Sequence, residues 1–433
     1  MGNIPGAASA TNVADTAVAA STGSACSPGN LNADINFVGN AFPAVQHLAR
    51  IAASCSSSGT KVAFKLTSQA RTETEQAFGS IGASPFDAAV VSMGVFSNLF
   101  SRRQLEPMTD LVNEFGARYK LEERMLVRVN GEVMAIAFMQ NTQNLYVRQD
   151  LFSRNGLAIP ASYAEMLRAA AVLKAREPQT PYPIAQGFGK GFDSATEFVN
   201  IFASLGGKFF EPGSAKPSFQ GAIGVEAIDM MKSVMPYLTP NALASNSDDV
   251  MNQLQQGKSA MGVLWASRAS RMDDPSASKV AGKMTFAAAP AARAGGPSAA
   301  HLWWDGFVMP RNAQGSARSG AGGPAAAAKR RKAVFEVVMT MLSEDAVRQG
   351  NDLAIWVRSN YQPGRFGTGV ALARQAGAPI WPGEPFFSLA HSEIGKVLPD
   401  ALKSEQSPQA ALQRAAAAYA RSAAEKGFLK ASA

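Results

Sequence analysis

Short apolar runs and amphipathic stretches alternate along the first third of the chain. Ile35-Asn36-Phe37-Val38 alternates as a strand, Gly39 to Pro43 turns, and Ala44 to Ser54 places Val45, Leu48, Ile51 and Ala52 at helical spacing. Lys61 to Thr67 and Asp87 to Ser92 read as two further strands, with a polar helix around Thr72 to Gly79 between them. Strand alternating with helix predicts a parallel sheet covered on both faces. Ligands of such sheets sit beyond the carboxyl ends of the strands. The turns Gly39 to Phe42, Ser68 to Arg71 and Ser92 to Phe96 are therefore the first places to look, and they carry the candidates Asn40, Phe42, Arg71, Ser92 and Met93.

The pattern changes in the middle of the chain. Val133 to Phe138 is an apolar run, Asn141-Thr142-Gln143-Asn144 interrupts it, and Leu145-Tyr146-Val147 resumes it. Uncharged hydrogen-bonding side chains inside a strand are costly to bury without partners. Either this is a hairpin turn, or Asn141, Gln143 and Asn144 face a cleft where water or a polar ligand satisfies them. Beyond it, Ser162-x-x-Glu165 forms a capping box that opens the periodic helix Tyr163 to Lys174.

Pro181 to Ala185 reads as a strand, and the glycine-rich loop Gly187 to Asp193 carries Phe188 and Asp193 as candidates. Its glycine spacing fails a dinucleotide fingerprint, with the third glycine one residue early and no acidic partner at the expected distance. A helix from Ala195 to Leu205 ends at Gly206-Gly207, which suits a left-handed cap. Helices at Gly224 to Met235 and Asp248 to Gln256 follow. Gly257-Lys258-Ser259 is a decoy for a phosphate loop, because Asn252 stands where the first glycine would be needed. Ala260 to Trp265 and Met284 to Ala289 are strands. In His301 to Pro310 the adjacent Trp303 and Trp304 must point to opposite faces. Trp304, Asp305 and Gly306 are preferred for the cleft side, since an indole beside a carboxylate offers a flat apolar face and a hydroxyl acceptor.

Asn312 to Gly323 has the composition of a mobile surface loop. Ala325 to Leu342 is helical, and its basic run Lys329 to Lys332 reads as a solvated face. Leu353 to Ser359 brings the candidates Trp356 and Arg358. Helices from Ser388 to Leu402 and Pro408 to Lys426 close the chain.

Taken in order, the apolar strand, the amide-rich crossover, Tyr146-Val147-Arg148-Gln149-Asp150-Leu151-Phe152, Pro160 and the capped helix resemble the hinge region of the type 1 extracellular solute-binding proteins, the ligand-capturing components of ABC importers. Phe86-Asp87, Ser92-Met93-Gly94 and Leu105-Glu106-Pro107-Met108 resemble that family's amino-terminal lobe. Gly257-Lys258-Ser259-Ala260-Met261 leading to Trp265 resembles its second-lobe signature. The resemblance implies an α/β protein of two lobes, a type II periplasmic-binding-protein fold with a sheet flanked by helices in each lobe and hinge crossovers between them. It implies a flexible leader at 1–32, a first lobe of 33–142 plus 304–350, and a second of 143–303 plus 351–433. It places Trp265, an aromatic at a strand end, and the strand around Trp304 on the ligand. Trp265 packed in a core is the alternative. Trp356 and Arg358 match a ligand-facing loop of the family whose proline is missing here, and the first turn carries Asn40 and Phe42 where many sugar binders of the family carry tryptophan.

Composition narrows the function. The 433 residues suit two to three domains, and 46% hydrophobic content provides for a sizeable core. No run of about 18 apolar residues occurs, so no membrane-spanning helix is expected. The net charge of +8 is spread over scattered Lys and Arg, which argues against a nucleic-acid partner. His47, His301 and His391 are far apart and lack metal or nucleophile spacing, so neither cofactor nor metal is expected. Cys26 and Cys55 could form one disulfide or remain two unrelated thiols. The resemblance implies a monomeric periplasmic protein that closes on a small carbohydrate or polyol and delivers it to the transmembrane subunits of an ABC permease; on the leader alone, either a signal peptide was removed or the protein is cytoplasmic. Two rivals stand beside it: a binder of an organic anion using Arg71, Arg148 or Arg358, and a carbohydrate-active enzyme with two separated carboxylates.

Overall fold

The computed structural model describes residues 26, 28–79, 84–311, 323–384 and 386–430. The expected leader lies outside them up to residue 25, as does the expected loop from Asn312 up to residue 322. Twelve strands are found among the described residues: β1 (Ile35–Gly39), β2 (Val62–Leu66), β3 (Ala88–Ser92), β4 (Leu105–Glu106), β5 (Leu126–Val129), β6 (Glu132–Asn141), β7 (Gln143–Arg148), β8 (Ile184–Ala185), β9 (Met261–Trp265), β10 (Met284–Ala288), β11 (Trp303–Pro310) and β12 (Ile355–Trp356).

They form two sheets, one per lobe. The first runs β12-β6-β11-β3-β1-β2, with β4 and β5 beside it, and the second runs β10-β7-β9-β8. Parallel pairing holds for β1 with β2 and β3, as the strand-helix alternation predicts, while β11 returns antiparallel between β3 and β6. Both sheets are therefore mixed. The amide-rich stretch is no hairpin: β6 ends in the first sheet at Asn141 and β7 begins the second sheet at Gln143. Trp303, at the start of β11, pairs with Asn141, so the outward and return crossings lie side by side.

Each lobe has its own core. In the first, Phe37, Phe138 and Phe307 pack between the sheet and the helices Pro43–Ser54 and Gly323–Met341. In the second, the helices Phe192–Ser204, Ala222–Val234, Phe387–Leu402 and Pro408–Glu425 bury Phe198, Ile228, Ile394 and Leu412. Full burial of each such side chain contributes roughly 1.5 to 3 kcal/mol. The capping box forms with a shift: Ser162 Oγ accepts the Glu165 N–H, but Glu165 reaches back to the N–H of Ala161 at 2.8 Å. Cys26 and Cys55 are joined by a disulfide, and closing a loop of that length contributes roughly 3 to 4 kcal/mol in the chain-entropy account.

Two expectations are corrected. The second lobe does not take over at 351, because β12 pairs with β6 and Trp356 is buried in the first core. The basic run is a solvated face only at Lys329 and Lys332, which are exposed: Arg330 pairs with Asp87 at 2.7 Å and Arg331 with Asp110 at 2.8 Å, tying the helix to the first sheet's rim.

Candidate functional site

Where the lobes meet, the strand ends bring together rings that are distant in sequence. Trp303 lies 4.0 Å from Trp381 between ring centroids, tilted by 32°, and Trp265 stands nearly perpendicular to Trp303 at 5.4 Å. His301 and His391 meet Trp381 edge to face at 5.3 and 5.4 Å, and Phe192 touches Trp303 and His391. The first lobe covers this group with the amino end of the helix Met93–Ser101. A Cβ on Gly94 would lie 3.6 Å from the Trp303 ring, and Met93 packs on the second lobe's core.

A chain of buried hydrogen bonds stands behind the rings. Gln143 Nε2 donates to Glu197 Oε1 at 2.7 Å, Asn200 Nδ2 donates to Gln143 Oε1 at 2.6 Å, and His301 Nδ1 lies 2.7 Å from Asn200 Oδ1. Gln186 donates to the other Glu197 oxygen. Glu197 and Asn200, three apart, put this chemistry on one face of the helix Phe192–Ser204. Burial pushes the Glu197 carboxyl up to about 7 despite the two amides that hold its charge. Burial likewise lowers His301 and His391 to about 3, so both imidazoles are neutral.

The hydrogen-bonding state of the indoles separates two kinds of tryptophan. Trp303, Trp381 and Trp356 are equally buried, at 5, 4 and 4% exposure. Trp356 Nε1 donates to the Gly350 carbonyl at 2.8 Å. Among the described residues, the ring N–H of Trp265, Trp303, Trp304 and Trp381 finds no acceptor, and none of the four is sealed from solvent. Asp305 is a second group without a partner among the described residues. It lies on β11 across from Ser92 and takes no hydrogen bond or ion pair, and burial alone pushes its carboxyl up to about 7. Indole N–H donors and a carboxylate without partners are what a ligand's hydroxyls can complete, each as donor and acceptor at once.

The residues expected from sequence divide accordingly. Ser92, Met93, Asp193, Trp265 and Asp305 fall at this junction, with Asp193 held by Ser247 and pushed up to about 6 by burial. Arg71 is exposed and paired with Glu75, yet close enough for its charge to act on His391. Asn40 is exposed at the end of β1, and Phe42 packs on the first core. Asn141 and Gln143 are bonded within the protein, Asn141 to Ser267. Asn144 is fully buried with neither amide atom partnered, and it points at Gly369.

Five expectations are revised. Trp303 joins the interlobe rings, whereas Trp304, on the strand's other face, turns to Phe96 at 5.2 Å. Gly306 serves strand packing, since a Cβ there would meet the Ile136 carbonyl at 2.8 Å. Phe188 is core of the second lobe. Trp356 and Arg358 belong to the first lobe's interior, Arg358 donating to the carbonyls of Tyr119 and Lys120. Sequence reasoning missed Trp381, which lies in the aperiodic Ala378-Pro379-Ile380-Trp381-Pro382-Gly383 and is positioned by pairing with Leu302.

Two lobes joined by adjacent crossings, with a polar and aromatic junction between them, define a hinged solute-binding protein. The sequence profile of that class, described as bacterial extracellular solute-binding protein, matches residues 104–348, more than half of the chain, and the chain belongs to this family. It is 27% identical over 210 residues to the mannitol-binding protein of Pseudomonas aeruginosa, covering 47% of this chain and 48% of that one. It is 22% identical over 169 residues, 38% of each chain, to a probable amino-acid ABC transporter periplasmic-binding protein of Sinorhizobium fredii. The matches thus span less than half the length of these relatives. Among solved structures, the fold is similar to a ribitol complex of a solute-binding protein from Agrobacterium radiobacter K84, with a TM-score of 0.75 and 18% identity, covering 89% of this chain and 97% of that one. It is similar also to a mannitol-bound protein from Agrobacterium vitis S4, with a TM-score of 0.71 and 16% identity, covering 91% and 99%. Among the described residues no helix is long and apolar enough to cross a membrane.

Proposed function

We propose that this chain is the solute-capturing component of an ABC importer, working as a monomer in the periplasm. It closes on a small carbohydrate or polyol between its lobes and presents it to a membrane permease. The observation that carries this reading is the gathering of Trp265, Trp303 and Trp381 where the lobes meet, with no acceptor for their N–H groups among the described residues. A hydroxyl oxygen accepts from such an N–H, and only contacts made across both lobes favour the closed state. The ligands named for the mannitol-binding relative and for the ribitol and mannitol complexes agree with this class.

The organic-anion reading is disfavoured because its cations are engaged. Arg71 pairs with Glu75, Arg148 with Asp150, and Arg358 with backbone carbonyls, while the junction carries Asp193, Glu197 and Asp305. Members of the family are transport binding proteins, which disfavours the enzyme reading. A thermal-shift screen with D-mannitol, ribitol, maltose, D-glucose, citrate and glutamate tests the proposal. A ligand present at a hundred times its Kd stabilises by about 2.7 kcal/mol, so a polyol or sugar is expected to raise Tm by several degrees and the acids to leave it unchanged. A shift with the acids alone overturns the reading.

A further inference from the structure

Two of the chain's passages between the lobes are tied to one face of one helix. Glu197, Asn200 and Ser204 follow one another at spacings of three and four on the helix Phe192–Ser204, which places them on one side of it. Glu197 accepts at 2.7 Å from Gln143, the first residue of β7 after the outward crossing, and Asn200 Nδ2 donates to the same side chain at 2.6 Å. Asn200 Oδ1 lies 2.7 Å from Nδ1 of His301, which stands just before β11 on the return crossing. Ser204 holds the approach to that crossing, accepting the Ala292 N–H at 2.9 Å and donating to the Pro297 carbonyl. Asn200 is thus bonded to both crossings at once. A third passage, between Tyr361 on the first core and Phe366 against Phe286 of β10, is fixed separately by Arg365, which donates to Asp273 and to the Met284 carbonyl.

These ties leave little backbone free to turn. On the outward crossing Thr142 alone stands between Asn141 of β6 and Gln143 of β7. On the return crossing His301 is held by Asn200, and Leu302 donates to the Pro379 carbonyl and accepts the Trp381 N–H. The next residue, Trp303, already pairs with Asn141 in the first sheet. The same contacts set the base of Trp381, whose ring meets His301 edge to face. We propose that Asn200 is a positioning residue: it locks both crossings to the second lobe, confines their turning to Thr142 and the peptide between Leu302 and Trp303, and so sets where Trp303 and Trp381 stand when the lobes close. This rests on the junction as the place of solute capture and holds for any solute. With both Glu197 oxygens taking amide protons, Gln143 turns its oxygen to Asn200 Nδ2 and Asn200 turns its oxygen to His301, so the imidazole carries a proton on Nδ1.

Spin labels on Ala117→Cys and Ser233→Cys, exposed in the first and second lobe, report the interlobe distance in the full chain without ligand, since the native cysteines are joined to each other. Asn200→Leu, which keeps the branched shape and removes both bonds, is expected to broaden that distance distribution. Gln186→Leu is the control: it takes a donor from Glu197 in the same network and touches neither crossing. It is expected to lower Tm as well, but to keep the wild-type distribution. Titration with whichever of D-mannitol, ribitol and maltose binds wild type should show about tenfold weaker binding in Asn200→Leu, because fewer molecules hold the binding-competent arrangement, and wild-type affinity in Gln186→Leu. An unchanged distribution in Asn200→Leu, or equal broadening in both variants, overturns the proposal. If none of the three solutes binds, the polyol and carbohydrate reading falls, and the distance measurement still decides the role of Asn200. A second arm uses wild type alone and so survives a variant that fails to fold. With three histidines in the chain, isotope labelling of histidine nitrogen resolves each imidazole. His301 is expected to carry its proton on Nδ1, protected from exchange, with and without ligand. A proton on Nε2 instead, or protection lost on ligand binding, overturns the tie.

Discussion

Trp356 and Trp381 are equally buried tryptophans that meet a histidine edge to face, yet they differ in what they leave unfinished. Around Trp356 the ring N–H is bonded to Gly350, His47 Nε2 lies 2.9 Å from the Ala346 carbonyl, and Arg358 donates to the carbonyls of Tyr119 and Lys120 while its Nε stays buried without a partner. Around Trp381 the imidazoles are bonded to Asn200 and Thr196, but among the described residues the indole N–H groups of Trp265, Trp303 and Trp381 find no acceptor. Burial is the same in both places. What differs is the indole N–H, which is bonded within the chain at Trp356 and has no acceptor among the described residues at Trp381. The fold completes the first indole, and in the reading proposed above a solute completes the second.

If that contrast is right, damage at the two sites has different consequences. Trp356→Ala should cause the largest change, a loss of about 3 to 5 kcal/mol of stability from the cavity and the lost ring contacts, with the affinity of the remaining folded protein unaltered. Urea unfolding together with ligand titration checks both halves, and a stable variant with weakened binding would erase the distinction.

Acid should report on the second site next. His301 and His391 are held at about 3 against 6.5 in an unfolded chain, so the unfolded state binds more protons between those values and stability falls as pH drops through that window. Glu197 and Asp305 act the other way. Each is raised to about 7, so each adds stability at low pH that is lost as pH rises toward and through 7. His391→Gln removes one of the two buried imidazoles of the junction. Its stability should fall less steeply than wild type between pH 6 and 4.5, by up to about 1.4 kcal/mol per pH unit, as measured by denaturant midpoints. An unchanged slope would mean that the buried imidazole is not held neutral.

Much of the architecture was legible because it is written in local patterns. The alternation from Ile35 to Ser92 gave the parallel strands, Ser162 and Glu165 marked a helix start, and Asn252 removed the phosphate-loop reading of Gly257-Lys258-Ser259. The site was legible only in part, because its members meet through tertiary packing. Strand alternation says that Trp303 and Trp304 face opposite ways, but the bulge at Asp305 and Gly306 and the neighbouring strands decide which face meets the second lobe. Trp381 has no periodic context, being flanked by prolines. Trp356 and Arg358 carried a motif resemblance, but β12 adds to β6 and draws both into the first core. The amides at Asn141 and Gln143 looked like ligand groups because their partners, Ser267, Glu197 and Asn200, are remote in sequence.

The most direct test of the central claim compares two substitutions that keep an aromatic ring, smaller than the indole, and delete the N–H. Trp381→Phe and Trp356→Phe are titrated with whichever of D-mannitol, ribitol or maltose binds wild type. Loss of one hydrogen bond is worth roughly 0.5 to 1.5 kcal/mol. Both variants should lose stability to the smaller ring, but Trp381→Phe should bind up to about tenfold more weakly, whereas Trp356→Phe should keep wild-type affinity. Equal affinities in the two variants would contradict the assignment of the Trp303 and Trp381 junction as the place where the solute is held.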